Sequence, residues 1–192
     1  GNGKVQGYNK QEITNITRSS NSVEAVVSGT QTDDKGKVQN SATVSLRYNN
    51  GNIYVNLLEM MPVQGLENAE IDANLSGNDM IIPSKLTPGQ ILPDAEATFK
   101  MKISDGNDAA DLPPLVFNIF NRRAVRAENV DTPVGKFVCF KIVQTIEADY
   151  PLIGLQQATG ITWIGKGMGV VKSESYDAKG KLTNRMLLTG FE

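Results

Sequence analysis

Residues 165–174 read GKGMGVVKSE, and how that run is read decides the fold. A phosphate-binding loop needs a strand that ends, glycines whose N–H groups can approach the anion, and a helix whose positive end opens onto it. After Gly169 the chain continues VVKSESYD and goes straight into DAKG, a turn sequence. No helix opens, so the phosphate reading fails. Laid out as a strand, Trp163, Gly165, Gly167, Gly169 and Val171 share one face, and Ile164, Lys166, Met168 and Val170 share the other. Three glycines in a row leave bare backbone, which predicts a bend in a strongly curved sheet.

The same period of two extends outward from this run. Ala42, Val44, Leu46 and Tyr48 alternate with Ser41, Thr43, Ser45 and Arg47, and Ala97, Phe99, Met101 and Ile103 alternate with Thr98, Lys100, Lys102 and Ser104. Such alternation marks half-buried antiparallel strands. Between these runs lie DDKG (33–36), NNGN (49–52), SGND (76–79), DGND (105–108) and DAKG (177–180), in which Asn and Gly supply the positive φ of tight hairpins. Strands are expected at 5–18, 22–32, 37–48, 52–59, 68–75, 79–83, 96–104, 115–130, 136–148, 161–176 and 181–190, with helical turns at most near 60–67 and 151–158. The expected fold is all-β: a single domain over 1–192, formed as one strongly curved antiparallel meander of ten or eleven strands, a half-open barrel with little helix. A two-sheet β-sandwich is the alternative.

The segment PSKLTPGQILP (83–93) has evenly spaced prolines that lack the ladder donor, so it is expected to be an ordered crossover. The similar hairpins DDKGKVQN (33–40) and DAKGKLTN (177–184) are read as convergent turn chemistry rather than duplication. In strand 136–148, Val138, Phe140 and Ile142 line one face while Phe137 and Cys139 start the other, which favours a sheet covered on both faces.

Composition removes many function classes. The chain of 192 residues carries 19 basic and 21 acidic side chains, a net charge of -2, so no global field draws in nucleic acid or an anionic membrane. Without His, triads built on imidazole, imidazole zinc sites and His acid–base catalysis are excluded. The lone Cys139 has no base partner and is read as a core residue. No apolar run approaches the ~18 residues of a membrane-crossing helix. The polar start GNGKVQGYNKQ, without Met, is read as following a removed leader or tag.

Asp105, Asp108 and Asp111 lack the residue order of a calcium loop and are read as a solvated turn. Arg122 and Arg126 share a strand face and are expected to pair with carboxylates such as Glu128 or Glu147 rather than form a basic patch. Apolar loops at 57–63 and 150–163 offer Met60, Met61, Leu152, Ile153 and Trp163 as contacts for an apolar ligand.

Three stretches, IPSKLTPGQILPDA (82–95), RRAVRAENVDTPVGKFVCFKI (122–142) and TWIGKGMGVVKSESYDAKGKL (162–182), resemble a family of exported β-proteins of Gram-negative bacteria, a domain of unknown function. Arg123, Val125, Glu128, Thr132, Pro133, Gly135, Phe137, Cys139 and Lys141 carry the first part of its pattern; Trp163, Gly167, Gly169, Lys172 and Glu174 carry the second. The resemblance implies a curved antiparallel sheet, similar in outline to the half-barrels of lipoprotein carriers, in the periplasm or at the outer membrane. It carries over no catalytic residue.

The resulting expectation is an exported envelope protein without catalysis, cofactor or metal, binding an apolar small molecule or a lipidated protein in its sheet, with a membrane tether through the removed leader. An interaction or scaffold module with no internal ligand is the alternative, and a carboxylate hydrolase the third reading.

Overall fold

The structure, a computed structural model, describes residues 4–60, 69–105, 108–111, 113–150 and 153–191, and only the backbone of Met60, 69–75, 101–105 and 108–111. Among these described residues thirteen strands and one helical turn follow in the order β1 (Gly7–Arg18), β2 (Ser22–Asp33), β3 (Val38–Asn49), β4 (Asn52–Val55), α1 (Leu57–Met60), β5 (Ala69–Gly77), β6 (Met80–Pro83), β7 (Ala95–Asp105), β8 (Asp108–Asp111), β9 (Leu115–Thr132), β10 (Gly135–Tyr150), β11 (Gly154–Gly165), β12 (Gly169–Asp177) and β13 (Leu182–Leu187). They form two antiparallel sheets, one of five strands and one of eight, and neither closes on itself. The all-β class expected from alternation is therefore present, but the single half-barrel meander is replaced by two sheets. Backbone contacts divide the chain into two compact units, described in turn.

The first unit comprises Gly1–Ser84 and Ala95–Val116. Its five-stranded sheet has the order β1-β2-β3-β4-β6, while β5 and β8 both pair with β7. Two local devices stop β4, β5 and β6 from forming the expected meander. After β4, the Asn56 Oδ1 accepts from the Leu58 amide at 3.0 Å and so opens the turn α1, whose Leu57 is buried. Glu59 in that turn accepts from the Asn56 side chain and the Ser45 backbone amide.

Beyond β5, SGND is not a hairpin. The Asn78 Oδ1 accepts from the Glu96 amide of β7 at 2.8 Å, and the Asn78 amide donates to the Glu96 carbonyl. Asp79 instead meets Arg47 of β3 at 3.1 Å. The chain thus passes from β5, beside β7, to β6, beside β4, across two residues. Gly77 permits the crossing, because a Cβ there would lie 2.5 Å from the Glu96 carbonyl oxygen. NNGN, in contrast, forms the expected tight hairpin, with Asn50 at φ 48 and Gly51 at φ 77.

The second unit comprises Lys85–Asp94 and Phe117–Glu192. It holds β10 to β13, each pairing with its sequence neighbour, together with most of β9. The proline-spaced segment lies along β9: the Gly89 amide donates to Ala124, the Ala124 amide to Gln90, and the Leu92 amide to Arg122. Leu92 is buried there. Residues expected to be helical near 151–158 are in fact β11 from Gly154 onward. Gly154 at φ 78 turns the chain, and the β-rich run of β10 then imposes the ladder Thr145↔Thr159 to Tyr150↔Gly154. The helical expectation at 60–67 falls, beyond Met60, outside the described residues.

GKGMG is likewise corrected. It is the hairpin turn between β11 and β12, not a bend within one strand; Met168 donates back to the Gly165 carbonyl at 3.1 Å, and Gly167 and Gly169 sit at φ 75 and 73. Gly165 has a packing role, since a Cβ there would stand 2.9 Å from Val171 Cγ2. Val138 is 69% exposed, so the expectation that both faces of β10 are covered holds only further along, where Ile142 is buried.

Candidate functional site

Two constructions in the fold gather side chains in a defined way. The first surrounds Trp163 in the second unit. Registry sets Trp163 opposite Lys141 of β10 and Lys172 of β12, so all three side chains share a face. The Lys172 Nζ lies 4.2 Å from the indole centroid and the Lys141 Nζ 5.4 Å from it. The indole N–H donates to Glu128 Oε1 at 2.6 Å, and Arg126 Nε donates to Glu128 Oε2 at 2.7 Å. One step along β12, Glu174 Oε1 meets Lys172 Nζ at 3.0 Å and accepts from Arg185 Nε at 2.9 Å, while its Oε2 accepts from the Tyr176 hydroxyl at 2.7 Å.

The electrostatics follow from these partners. Hydrogen bonds from Trp163 and then Arg126 hold the Glu128 carboxyl below its ordinary range. Burial pushes Glu174 upward, but donation from Tyr176, Lys172 and Arg185 outweighs it and the net shift is downward. Both carboxylates are therefore ionised acceptors at neutral pH. Burial raises the Cys139 thiol, which packs with Val130, Trp163 and Val171 under Phe137, Ile161, Met168 and Leu188. A register slip in β12 makes this packing possible: Val171 is the extra residue between the pairs Trp163↔Lys172 and Ile164↔Val170. The arrangement clamps β9 to β13 and leaves the indole only 4% exposed.

Among the residues expected to form an apolar site, Trp163 is thus enclosed by its own neighbours. Ile153 is 72% exposed in the turn before β11, about 30 Å along the strand from Trp163 at ~3.3 Å per residue. The structure does not bring these two together. Met61 and Leu152 lie outside the described residues, and Met60 closes α1 with only its backbone described. A shallow depression bounded by Leu155, Gln156, Gln157, Asp177, Ala178 and Lys179 has walls that are about equally polar and apolar. Arg122 and Arg126 do not form a basic patch: Arg126 pairs with Glu128, and Arg122 is buried, donating to the Pro93 carbonyl at 2.6 Å and to Gln144 at 3.3 Å. Among the described residues no group of Cys, Asp or Glu could hold a metal ion.

The second construction is the five-stranded sheet of the first unit, whose two faces differ sharply. Registry places Ile13, Val27 and Val44 in one row, Ile16, Ala25, Leu46, Val55 and Met80 in the next, and Arg18, Val23, Tyr48, Ile53 and Ile82 in a third. Beyond the Ile13 row come Gln11, Gly29 and Ala42, then Asn9, Gln31 and Asn40. The opposite face carries Lys10, Glu12, Glu24, Arg47 and a run of Ser and Thr. The apolar face grades from buried Val55 and Met80 through half-buried Leu46, Val44 and Val27 to Ile13 and Ile16, which are 58% and 44% exposed on the edge strand β1.

Ile13 and Ile16 share that face only because of a bulge. β1 slips register at Thr14, whose hydroxyl donates to the Val26 carbonyl at 3.3 Å. Period-two reading puts residues three apart on opposite faces, which is why the sequence hides Ile16 and Arg18 from this surface. Alternation in 42–48 was the visible signal for the rest of it.

A family profile described as DUF3108-like matches residues 1–188. The chain belongs to the DUF3108-like family. The resemblance carried by residues 122–142 and 162–182 is therefore shown. In three dimensions the DUF3108-like chain is similar to a protein inferred to be exported, with a YmcC-like fold, from Bacteroides fragilis: TM-score 0.72, 22% identity, over 97% of this chain and 88% of that one. It is also similar to an inferred lipoprotein from Parabacteroides distasonis, with TM-score 0.70 and 18% identity over 96% of this chain and 86% of the other. At such identity the likeness establishes the DUF3108-like fold, not an activity. No match to a curated protein sequence is found.

Proposed function

We propose that this DUF3108-like protein is an envelope-located, non-catalytic binding protein that holds an apolar chain, free or attached to a lipidated partner, on the apolar face of its five-stranded sheet. Export is supported by the descriptions of the two structural relatives. The observation that carries the binding role is the graded apolar face: rows of Val, Leu, Ile and Ala run without a break from buried Val55 and Met80 to solvent-exposed Ile16 and Ile13. A sheet face of this kind is worth ~25 cal/mol per Å² of apolar area that a ligand removes from water. The Trp163 cluster, by comparison, has its donors, acceptors and apolar surface already matched.

The test is native purification followed by organic extraction, alongside titration with a fluorescent long-chain fatty acid. Wild type is expected to release lipid or to bind the probe saturably. The double variant Ile13→Glu/Ile16→Glu, altered only at exposed positions, is expected to lose binding at least ten-fold with its melting temperature nearly unchanged. Neither released lipid nor probe binding by wild type would refute the reading and favour a scaffold module.

A further inference from the structure

Resting on that reading, one feature of the apolar face specifies the ligand more narrowly. Arg18 is the single basic residue on the face among those placed by the register, and it stands at one end, opposite Val23 and in the row of Tyr48, Ile53 and Ile82. Its side chain is exposed and forms no ion pair among the described residues. Lys10, Glu12, Glu24 and Arg47 project from the opposite face, and Arg47 is engaged by Asp79 and stacked on Tyr54 at 4.3 Å. Toward the far end the face passes into neutral Gln11, Asn9, Gln31 and Asn40, and then into Asp33 in the row of Gly7, whose carboxylate accepts from the Lys35 and Lys37 amides of the turn.

An amphiphile lying along the strands therefore meets one cation at one end, and neutral rows that close on an acidic residue at the other. We infer that the ligand is a long-chain acid whose carboxylate pairs with Arg18 and whose tail runs over Ile16, Val27, Ile13 and Val44 toward Ala42. Successive same-face rows are about 7 Å apart, so the Arg18 row and the Ala42 row are separated by about 20 Å, a span that suits a long acyl tail. Guanidinium offers two parallel N–H donors to a carboxylate, which fixes the ligand's direction as well as adding affinity. Tyr48 stands two strands across, about 10 Å away in the same row and 42% exposed, where its hydroxyl flanks the acid group's position.

Competition titrations of the bound fluorescent probe with palmitic acid and with hexadecanol, for wild type, Arg18→Ala and Arg18→Glu, test this. Because the ion pair is partly solvated, wild type is expected to bind the acid roughly five-fold tighter than the alcohol at low salt, with the preference shrinking as salt is added. Arg18→Ala is expected to bring the ratio to about one and Arg18→Glu to invert it. Equal affinities in wild type, or a preference that survives in Arg18→Ala, would overturn the inference while leaving apolar binding intact. Loss of both competitors' binding in wild type would overturn it together with the reading it rests on.

Discussion

Glu174 condenses three kinds of interaction into one side chain: a cross-strand ion pair with Arg185, a same-strand pair with Lys172, and donation from Tyr176. Burial alone pushes its carboxyl upward, and those donors bring the net value below the ordinary 4.5. With the folded value depressed, the stabilisation is fully present above about pH 4.5 and is lost as pH falls through the folded value. Glu174→Gln is expected to cost about 2 kcal/mol at pH 7, and its melting curve is expected to converge on that of wild type as the pH drops from 5 to 3. Melting temperatures measured across that range check this; two parallel curves would show that the carboxylate's charge does not matter. Sequence reading found Cys139 as a core thiol and Lys172 and Glu174 within a motif, yet not the ring they form around Trp163. Which strands bring Glu128 and Arg185 beside that ring is decided by pairing, and spacing within one strand does not encode it.

Elements are where the sequence was most legible. The turns DDKG and DAKG were read as the same turn chemistry, and the backbone amides that their leading Asp accepts from match, with one further donor, Gln39 Nε2, on Asp33 at 3.3 Å. Asp33 Oδ1 accepts from the amides of Lys35 and Lys37 at 2.9 and 2.8 Å, and Asp177 Oδ1 accepts from those of Lys179 and Lys181, both at 2.9 Å. Gly36 and Gly180 take φ 84 and 76. Asp33→Ala and Asp177→Ala are each expected to cost about 1 kcal/mol, or ~2–4 °C in melting temperature, and to add in the double variant because the hairpins are separate. Thermal melts of the three variants provide the check, and a clearly larger effect at either aspartate would contradict the equivalence. SGND looked the same on paper and was not a hairpin, because Asn78 and Asp79 spend their side chains on Glu96 and Arg47. The one-residue bulge at Thr14 was equally invisible, though it decides which way Ile16 and Arg18 face.

For the whole molecule, period-two alternation and turn residues were enough to specify an all-β fold with little helix. The partition into two sheets was not, since strand order depends on the crossings at 56–60 and 77–79 rather than on any strand's own pattern. The expected binding residues came from apolar loops, whereas the surface argued for here is assembled from single residues on five strands, each unremarkable in its own segment. A photo-crosslinking map with a diazirine-bearing long-chain fatty acid tests that central claim most directly. Adducts concentrated at Ile13, Ile16, Val27 and Val44, the rows of the apolar face, are the predicted result. Adducts on Glu12, Thr43 and their neighbours on the polar face, or scattered along β9 to β13, would contradict it.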